Sequence, residues 1–99
     1  MQGLFNEYTK GRFGMKYLTQ GGESLIRFQL LLSLTKISSQ PVQAALADYL
    51  CKGFGDTAAA AMNGVALSNF NRALATLNQV AATVERIKEH DWQHLKSVK

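Results

Sequence analysis

The stretch that decides the fold is DTAAAAMNGVALSNFNRALAT, residues 56–76. Its run of alanines, residues 58–61, favours a helix because Ala loses no side-chain entropy when it is fixed, and its small side chains let a second helix approach closely. Asn63 and Gly64 tolerate positive φ and are predicted to end this first helix. The next helix has apolar residues at the spacing of one buried stripe: Leu67, Phe70, Leu74 and Leu77. Two helices joined by a tight turn are typical of a helix-turn-helix.

The other side of this second helix is polar, with one cation and no acid. Such a face can enter a groove of DNA, where Asn can pair with adenine and Arg can contact phosphate or a base. The alternative is an ordinary solvated surface, and similar tight hairpins occur in other all-α proteins. The predicted DNA-binding residues are Lys52, Thr57, Ser68, Asn69, Asn71, Arg72 and Thr76.

Composition indicates one small domain of 99 residues, and apolar residues recur mostly at helical spacing. We therefore predict an all-α bundle of four to five helices. The net charge of +4 and the pI near 9.5 suit a polyanionic partner but support it only weakly. The single cysteine, Cys51, and the lack of a leader or membrane span in this sequence favour a cytoplasmic protein. If it binds DNA as predicted, it would act at the nucleoid.

Residues 1–22 differ from the rest of the chain. They are rich in glycine and aromatic residues, and Lys10, Arg12 and Lys16 outnumber Glu7. We predict a flexible arm whose aromatic residues pack on the domain or on a second copy. The alternative is a basic arm that reaches a phosphate backbone or a minor groove.

Two helices are predicted before the central stretch. Residues 23–38 have an apolar face wide enough to leave a surplus for a partner: Leu25, Phe28, Leu30, Leu31, Leu32 and Leu34. The next helix has Ser39 as its N-cap and Pro41 in its first turn, where the missing N–H has no cost. Lys52 and then Gly53 end it.

The second helix of the central stretch either continues beyond Asn78 or kinks near it into a final helix that ends about His90. Residues 23–90 are therefore predicted to form the helical domain, and residues 91–99 a tail. Trp92 is predicted to pack on the domain or at an interface. His90 and His94 share a helix face, but no third ligand follows, so no metal site is predicted.

No enzyme and no cofactor are predicted. The sequence has no paired carboxylates in an apolar setting, no nucleophile beside a base, and no Gly-rich phosphate loop between a strand and a helix. Without these catalytic motifs, the sequence favours a protein that binds a partner over an enzyme.

From Phe28 to about Ile87, the chain resembles the PapB-type regulators of fimbrial adhesin operons. The resemblance depends on the run FQLLLSLTKISS (residues 28–39), on Asp48-Tyr49-Leu50, and on Gly53. It continues through a turn and four further positions: Asn69, Phe70, Leu74 and Leu77. It implies an all-α, oligomeric transcription regulator that binds AT-rich promoter DNA.

Three features depart from the family pattern. Asp56 stands where relatives tend to have a basic residue, the run 58–61 replaces polar positions, and Ala66 is a poor helix cap. We therefore expect either a DNA-binding regulator of a fimbrial or adhesin operon that acts as an oligomer, or a helical co-regulator with weak or no direct DNA binding.

Overall fold

The structure, a computed structural model, describes residues 17–97, with side chains described for residues 17–94. Within this range the chain forms four helices and no strand: α1 (Leu25–Leu32), α2 (Gln40–Leu50), α3 (Asp56–Met62) and α4 (Leu67–Ser97). The prediction of an all-α fold is confirmed. None of these helices is long and apolar enough to cross a membrane.

Helix α1 is shorter than the predicted residues 23–38. It begins after the N-cap Ser24, whose hydroxyl accepts a hydrogen bond from the Arg27 N–H at 3.0 Å. After Leu32 the backbone bonds tighten, since the Leu34 N–H donates to the Leu31 carbonyl and the Thr35 N–H to the Leu32 carbonyl. The Ser33 hydroxyl also donates to the Leu30 carbonyl and the Thr35 hydroxyl to the Leu32 carbonyl, which favours the end of the helix here.

The face predicted for α1 is only partly buried. Phe28 and Leu31 lie in the core, whereas Leu25 and Leu30 are more than half exposed, at 54% and 64%. Leu34 lies beyond the end of the helix and is 62% exposed. The surplus of apolar surface that the sequence predicted is therefore present on α1.

Helix α2 begins as the sequence predicts. The Ser39 side chain accepts a hydrogen bond from the Val42 N–H at 3.4 Å, and Pro41 lies in the first turn. Ala45, Leu46 and Leu50 are buried on its inner face.

The turn between α3 and α4 has the predicted glycine geometry. Gly64 has a φ of +68°, the left-handed conformation that glycine adopts without strain. The Val65 N–H donates to the Ala60 carbonyl at 2.8 Å and the Gly64 N–H to the Ala61 carbonyl at 3.1 Å. These two bonds form a Schellman motif, which satisfies the last carbonyls of α3.

Helix α4 is continuous through Asn78 and extends past residue 90, which resolves the alternatives that the sequence left open. Phe70, Leu74 and Leu77 are buried as predicted, but Leu67 is 40% exposed because it lies at the helix start. Trp92 is 59% exposed, so the prediction that it packs on the domain is wrong; its place at an interface stays a prediction.

The segment from Tyr17 to Gly22 belongs to the folded part of the chain, although the sequence assigned it to the flexible arm. Leu18 is 2% exposed within the core. The Gly21 N–H donates to the Tyr49 carbonyl at 3.0 Å, and Gln20 Nε2 donates to the Gly53 carbonyl at 3.0 Å. The predicted boundary at residue 22 is therefore too late, and residues 1–16, with Lys10, Arg12 and Lys16, lie outside the described residues.

Candidate nucleic-acid interface

The start of α4 is held in place by the core. Phe70 is fully buried, and its ring meets that of Tyr49 edge-on, with 5.6 Å between ring centroids and an interplanar angle of 82°. This is a favourable geometry for two aromatic rings. The first two turns of α4 are therefore anchored to the end of α2.

A polar contact ties the α3–α4 turn to α2. Asn63 Nδ2 donates to Asp48 Oδ2 at 2.9 Å and to the Ala59 carbonyl at 2.8 Å. This contact could not be predicted from the sequence, because a pair separated by 15 residues leaves no periodic signal. Asp48 thus helps to set the position from which α4 starts.

All seven predicted DNA-binding residues are exposed. Within the described part of the chain, the side chains of Ser68, Asn69, Asn71 and Arg72 make no hydrogen bond or ion pair. The Thr76 hydroxyl donates to the Arg72 carbonyl at 3.1 Å. The start of α4 therefore presents donors and one cation that are available to a ligand.

Lys52 and Thr57 differ from the residues on α4, because acidic side chains already contact them. Lys52 Nζ lies 3.4 Å from Asp48 Oδ1, and Thr57 Oγ1 lies 3.3 Å from Asp56 Oδ1. A phosphate that approached either residue would meet a carboxylate as well. Their role in DNA binding stays a prediction and has less support than that of Arg72.

Three of the predicted residues line an open groove of about 450 Å³ between α4 and the segment that leads into α2; we call it the α4 groove. Its lining residues are Ile37, Ser38, Ser39, Val42, Asn69, Arg72, Ala73 and Thr76. Ser38 and Ser39 were not predicted as site residues, since only the tertiary fold brings them beside α4. At about 100° per residue, Asn71 lies about 160° around α4 from Asn69. Asn71 therefore faces away from the groove.

Two ionisable side chains at the end of α2, those of Tyr49 and Cys51, favour their neutral forms. Burial, with a contribution from the Asp56 charge, raises the pKa of the Tyr49 hydroxyl. Burial first, and then the Glu23 charge, raise the pKa of the Cys51 thiol, while Lys52 opposes them. Tyr49 and Cys51 thus remain uncharged at neutral pH.

In the second half of α4, acidic side chains lie close to basic ones. Glu85 Oε2 lies 3.1 Å from Arg27 Nη2 and 3.3 Å from Lys88 Nζ, and His90 Nδ1 lies 3.3 Å from Asp91 Oδ1. Among the described residues, no group of three or more His, Cys, Asp or Glu side chains is placed to hold a metal ion.

Comparison with known proteins is consistent with this architecture. The crystal structure of Escherichia coli FocB is similar to this chain, with a TM-score of 0.69 and 26% sequence identity over 74% of this chain and 83% of FocB. No curated protein sequence matches the chain. The family model for PapB, the adhesin biosynthesis transcription regulatory protein, matches residues 2–90. The chain therefore belongs to the PapB family of adhesin biosynthesis transcription regulatory proteins.

Proposed function

We propose that this transcription regulator binds AT-rich promoter DNA of a fimbrial or adhesin operon directly, as an oligomer at the nucleoid, through the outer face of the α3–α4 helix-turn-helix. The observation that carries the proposal is the set of exposed side chains at the start of α4, with Arg72 among them, that have no hydrogen-bond or ion-pair partner between residues 17 and 94. Helical spacing puts Arg72 about 160° from the buried Phe70, so it points away from the core.

The charges along α4 support this assignment. No Asp or Glu occurs in the helix before Glu85, and Glu85 is paired with Arg27 and Lys88. A phosphate backbone at the first turns of α4 therefore meets Arg72 without a repelling carboxylate on the same helix. Binding of this kind releases counterions, so its affinity falls as salt rises.

The test is a fluorescence-anisotropy titration of an AT-rich promoter duplex at two salt concentrations, with Arg72→Ala compared with Arg86→Ala. Both arginines are exposed on α4 and both changes remove one positive charge, but Arg86 lies about 21 Å further along the helix. We expect Arg72→Ala to weaken binding about tenfold and to lower the salt slope by about 0.9. Arg86→Ala should stay within about twofold of the unaltered protein. Equal losses in both variants would contradict the assigned face.

Self-association is proposed through the exposed apolar face of α1. Ile26 and Leu30 lie one turn apart and are 72% and 64% exposed, and the exposed Leu34 follows just beyond the end of the helix. A second copy of the chain on this face would remove that surface from water and would add avidity on repeated sites. Analytical ultracentrifugation of Ile26→Gln/Leu30→Gln is expected to give a monomer. The control, Met62→Gln, alters a side chain of similar exposure on α3 and should leave the oligomer intact.

The second candidate function is a helical co-regulator that acts through protein contacts alone. The acidic partners of Lys52 and Thr57, together with the apolar face of α1, favour it. Absence of DNA binding even at low salt, with the oligomer intact, would select this function over the first.

A further inference from the structure

The α4 groove has a concave shape and an apolar lining that the proposed contact of α4 with DNA bases does not explain. Its floor is apolar, formed by the half-buried side chains of Ile37, Val42 and Ala73. Its volume of about 450 Å³ lies within the range of small-molecule sites, and it is open to solvent. The surface here is concave, whereas a side chain that reads base edges must project into a DNA groove.

Donor groups surround this apolar floor. Arg72 and Asn69 come from α4, and Ser38 comes from the connection between α1 and α2. Ser38 is exposed and has no hydrogen-bond partner among the described residues. None of the described lining residues is acidic. The site therefore offers one positive charge and several neutral donors around a patch suited to C–H groups.

We propose that the α4 groove holds one sugar–phosphate unit of the DNA backbone, with the phosphate between Arg72 and Ser38 and the deoxyribose over Ile37 and Val42. This inference rests on the proposed function, which it deepens. The convex backbone of a duplex matches a concave surface, and phosphate and sugar receive most protein–DNA hydrogen bonds, from Arg, Ser, Thr and Asn among others. Because every nucleotide carries the same backbone, this contact sets the register of α4 and carries no sequence preference.

The test uses charges placed at Ser38, compared with the same charges at Gln93. Gln93 is exposed on α4, 21 residues beyond Arg72 and thus about 31 Å away. Ser38→Glu should weaken binding about fivefold on both an AT-rich and a GC-rich duplex, the effect expected for one unit charge about 4 Å from a phosphate in water. Ser38→Lys should strengthen binding on both duplexes. Gln93→Glu and Gln93→Lys should stay within about twofold of the unaltered protein.

The two Ser38 variants make the test independent of folding, since damage to the fold cannot strengthen binding. Circular dichroism checks that both retain their helices. The proposed contact also predicts that Ser38→Glu has a smaller effect when Arg72 is already Ala, because the two side chains face one phosphate.

The measurements distinguish a failure of the proposed backbone contact in the α4 groove from a failure of DNA binding as a whole. If the unaltered protein binds with salt dependence and Arg72→Ala weakens it, but neither Ser38 variant changes affinity beyond twofold, the groove inference is overturned and the proposed function stands. A loss confined to the AT-rich duplex would also overturn it, because the groove would then contact bases. If the unaltered protein binds no duplex at low salt, both fail together.

Discussion

Alanine substitutions of Gly21 and Gly64 separate the free-energy cost of a left-handed backbone conformation from the cost of a steric clash. Both have positive φ, +72° for Gly21 and +68° for Gly64. A Cβ on Gly64 would meet nothing within 4 Å. A Cβ on Gly21 would lie 2.9 Å from the Gly53 Cα, which is backbone and cannot rotate away. The two substitutions therefore share a conformational cost and differ by one steric contact.

The expected magnitudes follow from these contacts. The left-handed conformation costs a non-glycine residue about 1–2 kcal/mol, so Gly64→Ala should lower the free energy of unfolding by that amount. Gly21→Ala adds a backbone clash of about 1–3 kcal/mol and should cost about 2–5 kcal/mol in total. Gly55→Ala is the control, since Gly55 has a φ of −65° and nothing within 4 Å; because Gly55 is the N-cap of α3, where Ala is less favourable than Gly, the change should stay below about 1 kcal/mol.

Urea denaturation followed by circular dichroism at 222 nm measures all three variants, and the midpoint at constant slope gives the change in stability. Hydrogen exchange at the Gly21 and Glu23 amides, which donate to the Tyr49 and Leu50 carbonyls, reports whether the segment from residue 17 to 22 stays packed. Equal losses for Gly21→Ala and Gly64→Ala would refute the reasoning. That result would mean that the Gly53 backbone moves aside to accommodate a Cβ on Gly21 at little cost.

Three further predictions concern the core and the α3–α4 turn. Asn78→Leu should raise the free energy of unfolding by about 1 kcal/mol, measured by urea denaturation, because Asn78 Oδ1 is buried and has no hydrogen-bond partner among the described residues; a loss of stability would contradict this. Asn63→Ala should lower the free energy of unfolding by about 2–3 kcal/mol in the same measurement, since it removes hydrogen bonds to the Asp48 carboxylate and to the Ala59 carbonyl. A loss below about 0.5 kcal/mol would show that these bonds do not stabilise the α3–α4 turn. The Cys51 thiol, with its raised pKa, holds less thiolate at pH 8 than a free cysteine; iodoacetamide should therefore modify it more slowly in the folded protein than in urea, and equal rates would argue against its burial.

Local signals predicted the elements that depend on local chemistry. The Ser39 cap, Pro41 in the first turn of α2 and Gly64 at the end of α3 each act through hydrogen bonds or backbone preferences within a few residues. The stripe of Phe70, Leu74 and Leu77 follows from helical periodicity alone. These features were correct because no distant residue is needed to produce them.

Helix ends and the packed N-terminal segment were predicted less well. The end of α1 depends on whether Ser33 and Thr35 bond back to the preceding carbonyls, a choice that the sequence leaves open. Leu18 is buried, and the Gly21 and Gly53 backbones, 32 residues apart in the chain, lie side by side. A glycine-rich stretch has the same composition whether it is free or packed.

The sequence by itself determined the all-α class, the turn that joins α3 to α4, and the polar face at the start of α4, because propensity, capping and periodicity act over a few residues. Only the tertiary structure decided that Asp48 contacts Asn63 and that Ser38 and Arg72 line the same groove. Contacts between residues so far apart in the chain follow from how helices pack, and packing is decided by the whole core at once.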